Sequence, residues 1–260
     1  MRDVMLNDHS SLGIEARGVT KHFGRLTAVR DLNLHVPAGT LFGFLGPNGS
    51  GKSTTIKLLT GSLAPSTGEV RVAGQTVSPE NVDLRRVIGI LPEDAALFHS
   101  LTIWEHLELS GPLYGLSRQE TRARAIQLLR HLDLERESGT YIDQASYGMR
   151  KKCALAMALL HNPRILFLDE PFEGIDPGSS RNIKDLLIAL ADKGVTVFVT
   201  SHILEVVERL IEQFAIIIRG DIVYCQTVAE VKRAGMTLED VYFKYAGKPA
   251  VGNLAWLGSR

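Results

Sequence analysis

The chain has only two cysteines in 260 residues, Cys153 and Cys225, each in an apolar stretch with no Cys-x-x-Cys or Cys/His cluster beside it. A disulfide scaffold or zinc module is excluded, and buried free thiols are expected at both positions. Long hydrophobic runs are also missing. The longest, Cys153 to Leu160, is eight residues, against about 20 needed to span a bilayer. The opening MRDVMLNDHSSLG holds no apolar segment long enough for a signal-peptide core, so a cytosolic chain is expected. Net charge is absent as well, with 29 Lys and Arg against 29 Asp and Glu. No global field therefore draws in nucleic acid or an anionic membrane, and no nucleic-acid partner is expected. Repeats and low-complexity linkers do not occur. What is present, 45% hydrophobic and 22% charged residues, describes a globular chain with enough apolar mass for a sizeable core.

Apolar runs at Gly13–Val19, Thr27–Val36 and Leu41–Leu45 read as strands, the last feeding directly into a glycine-rich loop. A helix follows over about Gly51–Thr60, then strands at Val70–Ala73 and Val87–Leu91. From Asp94 to about Pro163 the pattern is helical. It includes a capping box at Ser117 and Glu120 and a second helix over about Gly148–His161. Strand and helix then alternate: Ile165–Leu168, helix Ser179–Asp192 closed by Gly194, Val195–Thr200, helix Leu204–Glu212, Phe214–Arg219 and Ile222–Tyr224. Arg219-Gly220-Asp221 reads as the turn between the last two strands. Wholly apolar strands between helices predict an α/β fold whose largely parallel sheet is covered on both faces.

The segment GPNGSGKST, Gly46 to Thr54, contains G-x-x-x-x-G-K-[ST] between an apolar strand and a helix, the context that a phosphate-binding loop requires. Gly46, Gly49 and Gly51, with Pro47, Asn48 and Ser50 between them, let backbone N–H groups wrap phosphate oxygens. Lys52 then reaches the β- and γ-phosphates, and the Ser53 hydroxyl ligates Mg²⁺. RILFLDE, Arg164 to Glu170, is an apolar strand ending in two carboxylates at the edge of the sheet where α/β ligands bind. Asp169 suits Mg²⁺, and Glu170 is placed to direct and deprotonate an attacking water. Taken alone, the two acids read rather as an acidic helix cap, and it is their pairing with the loop at Lys52 that favours the catalytic reading. His202 follows the strand Val195–Thr200 on the same side of the sheet. The basic run Arg150, Lys151 and Lys152 reads as solvated first-turn residues.

The order and spacing of these segments resemble the nucleotide-binding subunit of ATP-binding-cassette (ABC) transporters over almost the whole chain. By that resemblance Phe23 in KHFG stacks on adenine, and Glu93 in IGILPED stands at the Q-loop hinge as a further Mg²⁺ oxygen. ASYGM, Ala145 to Met149, occupies the place of the LSGGQ signature, Asp176 in FEGIDP falls in the D-loop, and His202 in TSH is the switch histidine. The departures are Ala145, Tyr147 and Met149 within the signature, where Ser146 and Gly148 remain, and Glu93 in place of the usual glutamine.

The resemblance implies a P-loop NTPase of RecA-like core, with an N-terminal antiparallel β subdomain and an inserted α-helical subdomain. It divides the chain into one nucleotide-binding domain over 1–225, with its core at about 1–93 and 164–225 and its insertion at about 94–163. Residues 226–260 form a short tail. It further implies ATP as substrate, Mg²⁺ as cofactor, a second nucleotide-binding subunit whose signature closes over this chain's ATP, and an integral membrane permease. The subunit would then lie peripherally on the inner face of the membrane. The sequence resembles most the export-type cassettes that serve separate permeases. A soluble ATPase remodelling nucleic acid or ribosomes is the rival reading, and a nucleotide switch without turnover a third.

Overall fold

The computed structural model describes residues 12–247; the N-terminal segment read for a signal peptide and the end of the tail lie outside them. Two sheets form the frame. Strands β1 (Leu12–Phe23), β2 (Leu26–Pro37), β4 (Thr67–Val72) and β5 (Gln75–Thr76) make an antiparallel sheet in the order β2-β1-β4-β5. The second sheet runs β10-β9-β3-β8-β7-β6, from β3 (Leu41–Leu45), β6 (Ile88–Leu91), β7 (Ile165–Asp169), β8 (Thr196–Ser201), β9 (Gln213–Ile218) and β10 (Asp221–Thr227). Every pairing in it is parallel except that of β9 with β10, whose turn contains Arg219-Gly220.

Alternation along the central strands explains both the fold and its apolar runs. Successive strand residues point to opposite faces, so Leu41, Leu45, Leu166, Leu168, Val197 and Val199 enter one core cluster. Phe42, Phe44, Phe167 and Phe198 enter the other, with Ile14, Val29 and Leu34 of the antiparallel sheet. Helix α1 (Lys52–Leu59) covers this second face with Ile56, Leu58 and Leu59. On the first face lie α3 (Ile103–Leu113), α4 (Arg118–His131) and α5 (Tyr147–Leu160), all between β6 and β7 in the chain, and α6 (Pro177–Asp192). The last helices, α8 (Val228–Arg233) and α9 (Leu238–Ala246), bury Val228, Val231, Leu238, Val241 and Tyr242 in that same cluster.

Helix starts follow their caps. Ser117 accepts from Glu120 N while the Glu120 carboxylate accepts from Ser117 N, completing the capping box expected there. Three details differ from the sequence reading. A short helix α2 (Val82–Val87), capped by Asn81, precedes β6 in a stretch read as strand at Val87. Helix α7 spans only Leu204–Val207 rather than Leu204–Glu212. The chain bends there to bury Leu210 and Ile211 and to bring Glu212 N onto Leu41 O. Cys153 is buried, and burial pushes its thiol up to about 12, whereas Cys225 is exposed on β10.

No helix among the described residues is long and apolar enough to cross a membrane. Phe198 is wholly buried, with ring centroids 5.6 Å from Phe42, 5.4 Å from Phe44 and 5.8 Å from Phe167. Phe198→Ala should therefore cost about 3–5 kcal/mol of unfolding free energy, read as a lowered urea midpoint.

Candidate nucleotide site

Parallel register delivers the site. Leu45 pairs with Ser201 and Asp169 with Thr200, so the residues after β3, β7 and β8 leave the sheet at one edge, the edge where α/β proteins bind ligands. Gly46, Glu170 and His202 are those next residues.

The phosphate loop is held close to the sheet by backbone bonds from Gly46 N to Ser201 O, 3.4 Å, and from Gly220 N to Ser50 O, 2.9 Å. A side chain at Gly46 would strike the Ile217 carbonyl. Gly51 takes φ 113, and a Cβ there would lie 2.7 Å from Ala28 O. Glycine at these two positions is a steric requirement. Gly51 also caps α1, whose unpaired N–H groups and positive dipole end face the cleft. Lys52, on the first turn of α1, curls back and donates to Gly46 O at 2.8 Å and Pro47 O at 3.3 Å.

Glu170 is at the centre of the acidic side. Its carboxylate lies 3.2 Å from Lys52 Nζ through one oxygen and 3.0 Å from His202 Nδ1 through the other. His202 N also donates to it at 3.3 Å. Both Lys52 and Glu170 are about 95% buried, at 6% and 5% exposure, where a single unpaired charge is far more costly than a pair. The backbone of Glu170 adopts φ 48, a left-handed conformation costing a non-glycine residue about 1–2 kcal/mol. Such a residue persists where its surroundings over-determine it. Thr200 Oγ1 accepts from Glu170 N at 3.0 Å and donates to Asp169 Oδ1 at 2.5 Å, so one hydroxyl orients both acids. Thr200 was read only as the end of a strand, although its place directly before Ser201-His202 was visible.

A cleft of about 800 Å³ opens over Lys52 and Glu170, lined also by Phe23, Arg25, Arg30, Asn48, Gly49, Gly51, Ser53, Thr54, Glu93 and Arg219, among others, while Asp169, Thr200 and His202 do not line it. Its basic residues outnumber its acids, which suits a polyanion. Phe23 stands at the rim, half exposed. Ser53 Oγ donates to Glu93 Oε2 at 3.2 Å, which brings the phosphate loop and the Q-loop position together.

Ser146, Gly148 and Asp176 are elsewhere. None lines this cleft. Ser146 caps α5, accepting from Met149 N at 3.2 Å. Asp176 caps α6, accepting from Ser179 N at 2.9 Å, and that bond holds its carboxyl below the usual range. Tyr147 packs against Gly174, where an added Cβ would come 2.5 Å from the ring. The basic run beside the signature requires correction. Lys151 and Lys152 are buried rather than solvated. The turn of α5 that carries them packs toward the carbonyls of neighbouring segments, where Lys151 Nζ donates to Glu170 O and Glu173 O and Lys152 Nζ to Asp133 O. Sequence periodicity on one helix gives no sign of those distant carbonyls.

Residues 29–173 match the family model described as ABC transporter. The chain is 37% identical over 227 residues to the daunorubicin/doxorubicin resistance ATP-binding protein DrrA of Streptomyces peucetius, covering 87% of this chain and 69% of that one. It is 35% identical over 207 residues to the Nod factor export ATP-binding protein I of Paraburkholderia xenovorans, covering 80% and 68%. A dimeric ATP-binding cassette solved in a post-hydrolysis state with ADP and Pi superposes with a TM-score of 0.76 at 27% identity, covering 83% of this chain and 98% of that one. The chain belongs to the ABC transporter family. It is an ATP-binding subunit that hydrolyses ATP to drive transport, with the P-loop NTPase fold of the solved cassettes. The soluble remodelling reading finds no support among these relatives.

Lys52→Ala should abolish ATP binding, since it removes the cation inside the loop and one of the two side chains flanking the buried Glu170 carboxylate. Equilibrium binding of a fluorescent ATP analogue measures this.

Proposed function

We propose that the cleft at Lys52 binds ATP with Mg²⁺ and that the chain powers an export permease as one half of a head-to-tail pair. The observation that carries the reading is the placement of Glu170, its carboxylate bracketed by Lys52 and His202 at the mouth of the phosphate loop.

The roles follow from the contacts. The loop from Gly46 to Thr54 offers backbone N–H groups to the phosphates, and Lys52 exchanges Gly46 O, Pro47 O and Glu170 for β- and γ-oxygens. Phe23 offers a ring face to the adenine. The oxygen donors fit Mg²⁺, which favours one or two hard protein ligands and keeps its remaining positions for water and phosphate. Ser53 and Glu93, 3.2 Å apart, would hold it, with Asp169 at the end of β7 as the further carboxylate. Held there, it would supply charge neutralisation for the phosphate oxygens. Glu170, released from Lys52, orients a water and takes its proton. His202 orients Glu170 and reaches the γ-phosphate.

Because Ser146 and Gly148 do not line the cleft of their own chain, they close instead over the ATP of a second cassette. Two-fold pairing then sandwiches two nucleotides, and the dimeric arrangement of the solved relative supports it. Closure carries the helical block at about 94–163 and the hinge at Glu93, and Asp176 approaches its counterpart across the pair. A membrane permease docked beside them would receive the movement, with the subunit peripheral on the inner face of the membrane. The resistance and export functions named for the relatives support the outward direction.

Glu170→Gln should bind ATP normally, form a stable ATP-bound dimer in size-exclusion chromatography and lose about 10²–10⁴ in turnover. Unchanged turnover would place the base elsewhere. Ser146→Ala should slow hydrolysis while leaving the monomer's affinity for ATP as it was, and a binding defect within the monomer would refute closure between subunits.

A further inference from the structure

The geometry points to Lys151 as a positioning residue for Glu170, one that fastens the backbone of the base to the helix presenting Ser146 and Gly148. The inference rests on Glu170 as the base proposed above and adds a second subunit's influence upon it.

Lys151 lies on the first turns of α5 and is 4% exposed. Its ammonium donates to Glu170 O, to Glu173 O at 3.3 Å and to Tyr147 Oη at 3.4 Å. Three donors thus meet three acceptors. Two are main-chain carbonyls of the segment joining β7 to α6, and Glu173, Glu170, Glu93 and Asp169 all favour its charge. Burial outweighs them and holds its pKa below the ordinary lysine value. A fully buried lysine is rare without such partners.

Glu170 needs this support. Its left-handed backbone is fixed at the amide by Thr200 and at the carboxylate by Lys52 and His202. At the carbonyl, Lys151 joins a Glu173 N–H at 3.3 Å. The Thr200, Lys52 and His202 contacts tie Glu170 to the sheet and the phosphate loop, and the Glu173 contact is local to its own turn. Lys151 ties it to α5. Rotation of the Glu170 peptide plane would swing the carboxylate, and misplacement of a catalytic group by about 1 Å is enough to cost about 10²-fold in rate.

The arrangement makes α5 a rigid link. Its cap, Ser146, faces the second subunit's nucleotide in the closed pair, and Lys151 sits little more than one turn further along the same helix. Engagement of Ser146 by one nucleotide then sets the carboxylate that acts on the other. Tyr147 reinforces the link: its ring lies against Gly174 and 5.4 Å from the Lys151 ammonium.

The test is steady-state ATPase kinetics and fluorescent-ATP binding on the full chain. Lys151→Met should lower kcat at least tenfold with KM and ATP affinity within twofold of the parent, while Lys151→Arg, which keeps charge and donors, should recover most of kcat. A Lys151→Met kcat within twofold of the parent overturns the inference. Joint loss of turnover and ATP affinity overturns it too, since Lys151 would then only hold the fold. If methionine leaves no folded protein, Lys151→Gln decides by the same split. Glu170→Gln run in parallel separates the two claims. Its retention of turnover refutes the base, whereas its collapse beside a fully active Lys151→Met refutes only the positioning.

Discussion

The parallel register of β3, β8 and β7 is the constraint on which the site depends. Strands that run the same way must end at the same edge, and here the pairs Leu45 with Ser201 and Asp169 with Thr200 leave three loops starting side by side. Phosphate loop, acidic pair and histidine are far apart in sequence and meet because the sheet has no other place to put them. The apolar alternation that makes the strands also makes the two core clusters, so the fold and the site have a single cause.

The legible parts of the site were those whose chemistry is local. A glycine that must admit a carbonyl at van der Waals contact, as Gly46 and Gly51 do, is written in a nonapeptide, and the strand before Asp169 and Glu170 shows in four apolar residues. Ser117 with Glu120 announced a helix by itself. What stayed hidden depends on surfaces that only folding brings together. Lys151 looked like any basic residue near a helix start, and its partners Glu170 O and Glu173 O are about twenty residues on. The shortness of α7 has the same origin: tertiary burial of Leu210 and Ile211 outweighs a helical pattern that would have run further. Cys225 sits in an apolar run, yet β10 leaves it exposed.

The departures from the family pattern fall into two kinds. Glu93 keeps an oxygen beside Ser53 and so preserves a metal-compatible pair while adding negative charge. Tyr147 brings bulk where the family has none, and the room is found at Gly174, whose φ of +67 and missing side chain admit the ring. The signature helix and the loop leading to Asp176 are consequently in direct contact within one subunit, so neither can move far without the other.

The end of the chain has a bearing on the histidine. His202 is followed by only one short turn of helix, Leu204–Val207, too little to hold itself in place. Helix α9 lies against that turn, Glu208 accepts from Leu238 N at 3.4 Å, and Val207 shares its core cluster with Val241 and Tyr242. Helix α9 is therefore a floor for the loop that carries His202. A protein that grips or shifts α9 from outside would hold a handle on ATP turnover without entering the nucleotide cleft.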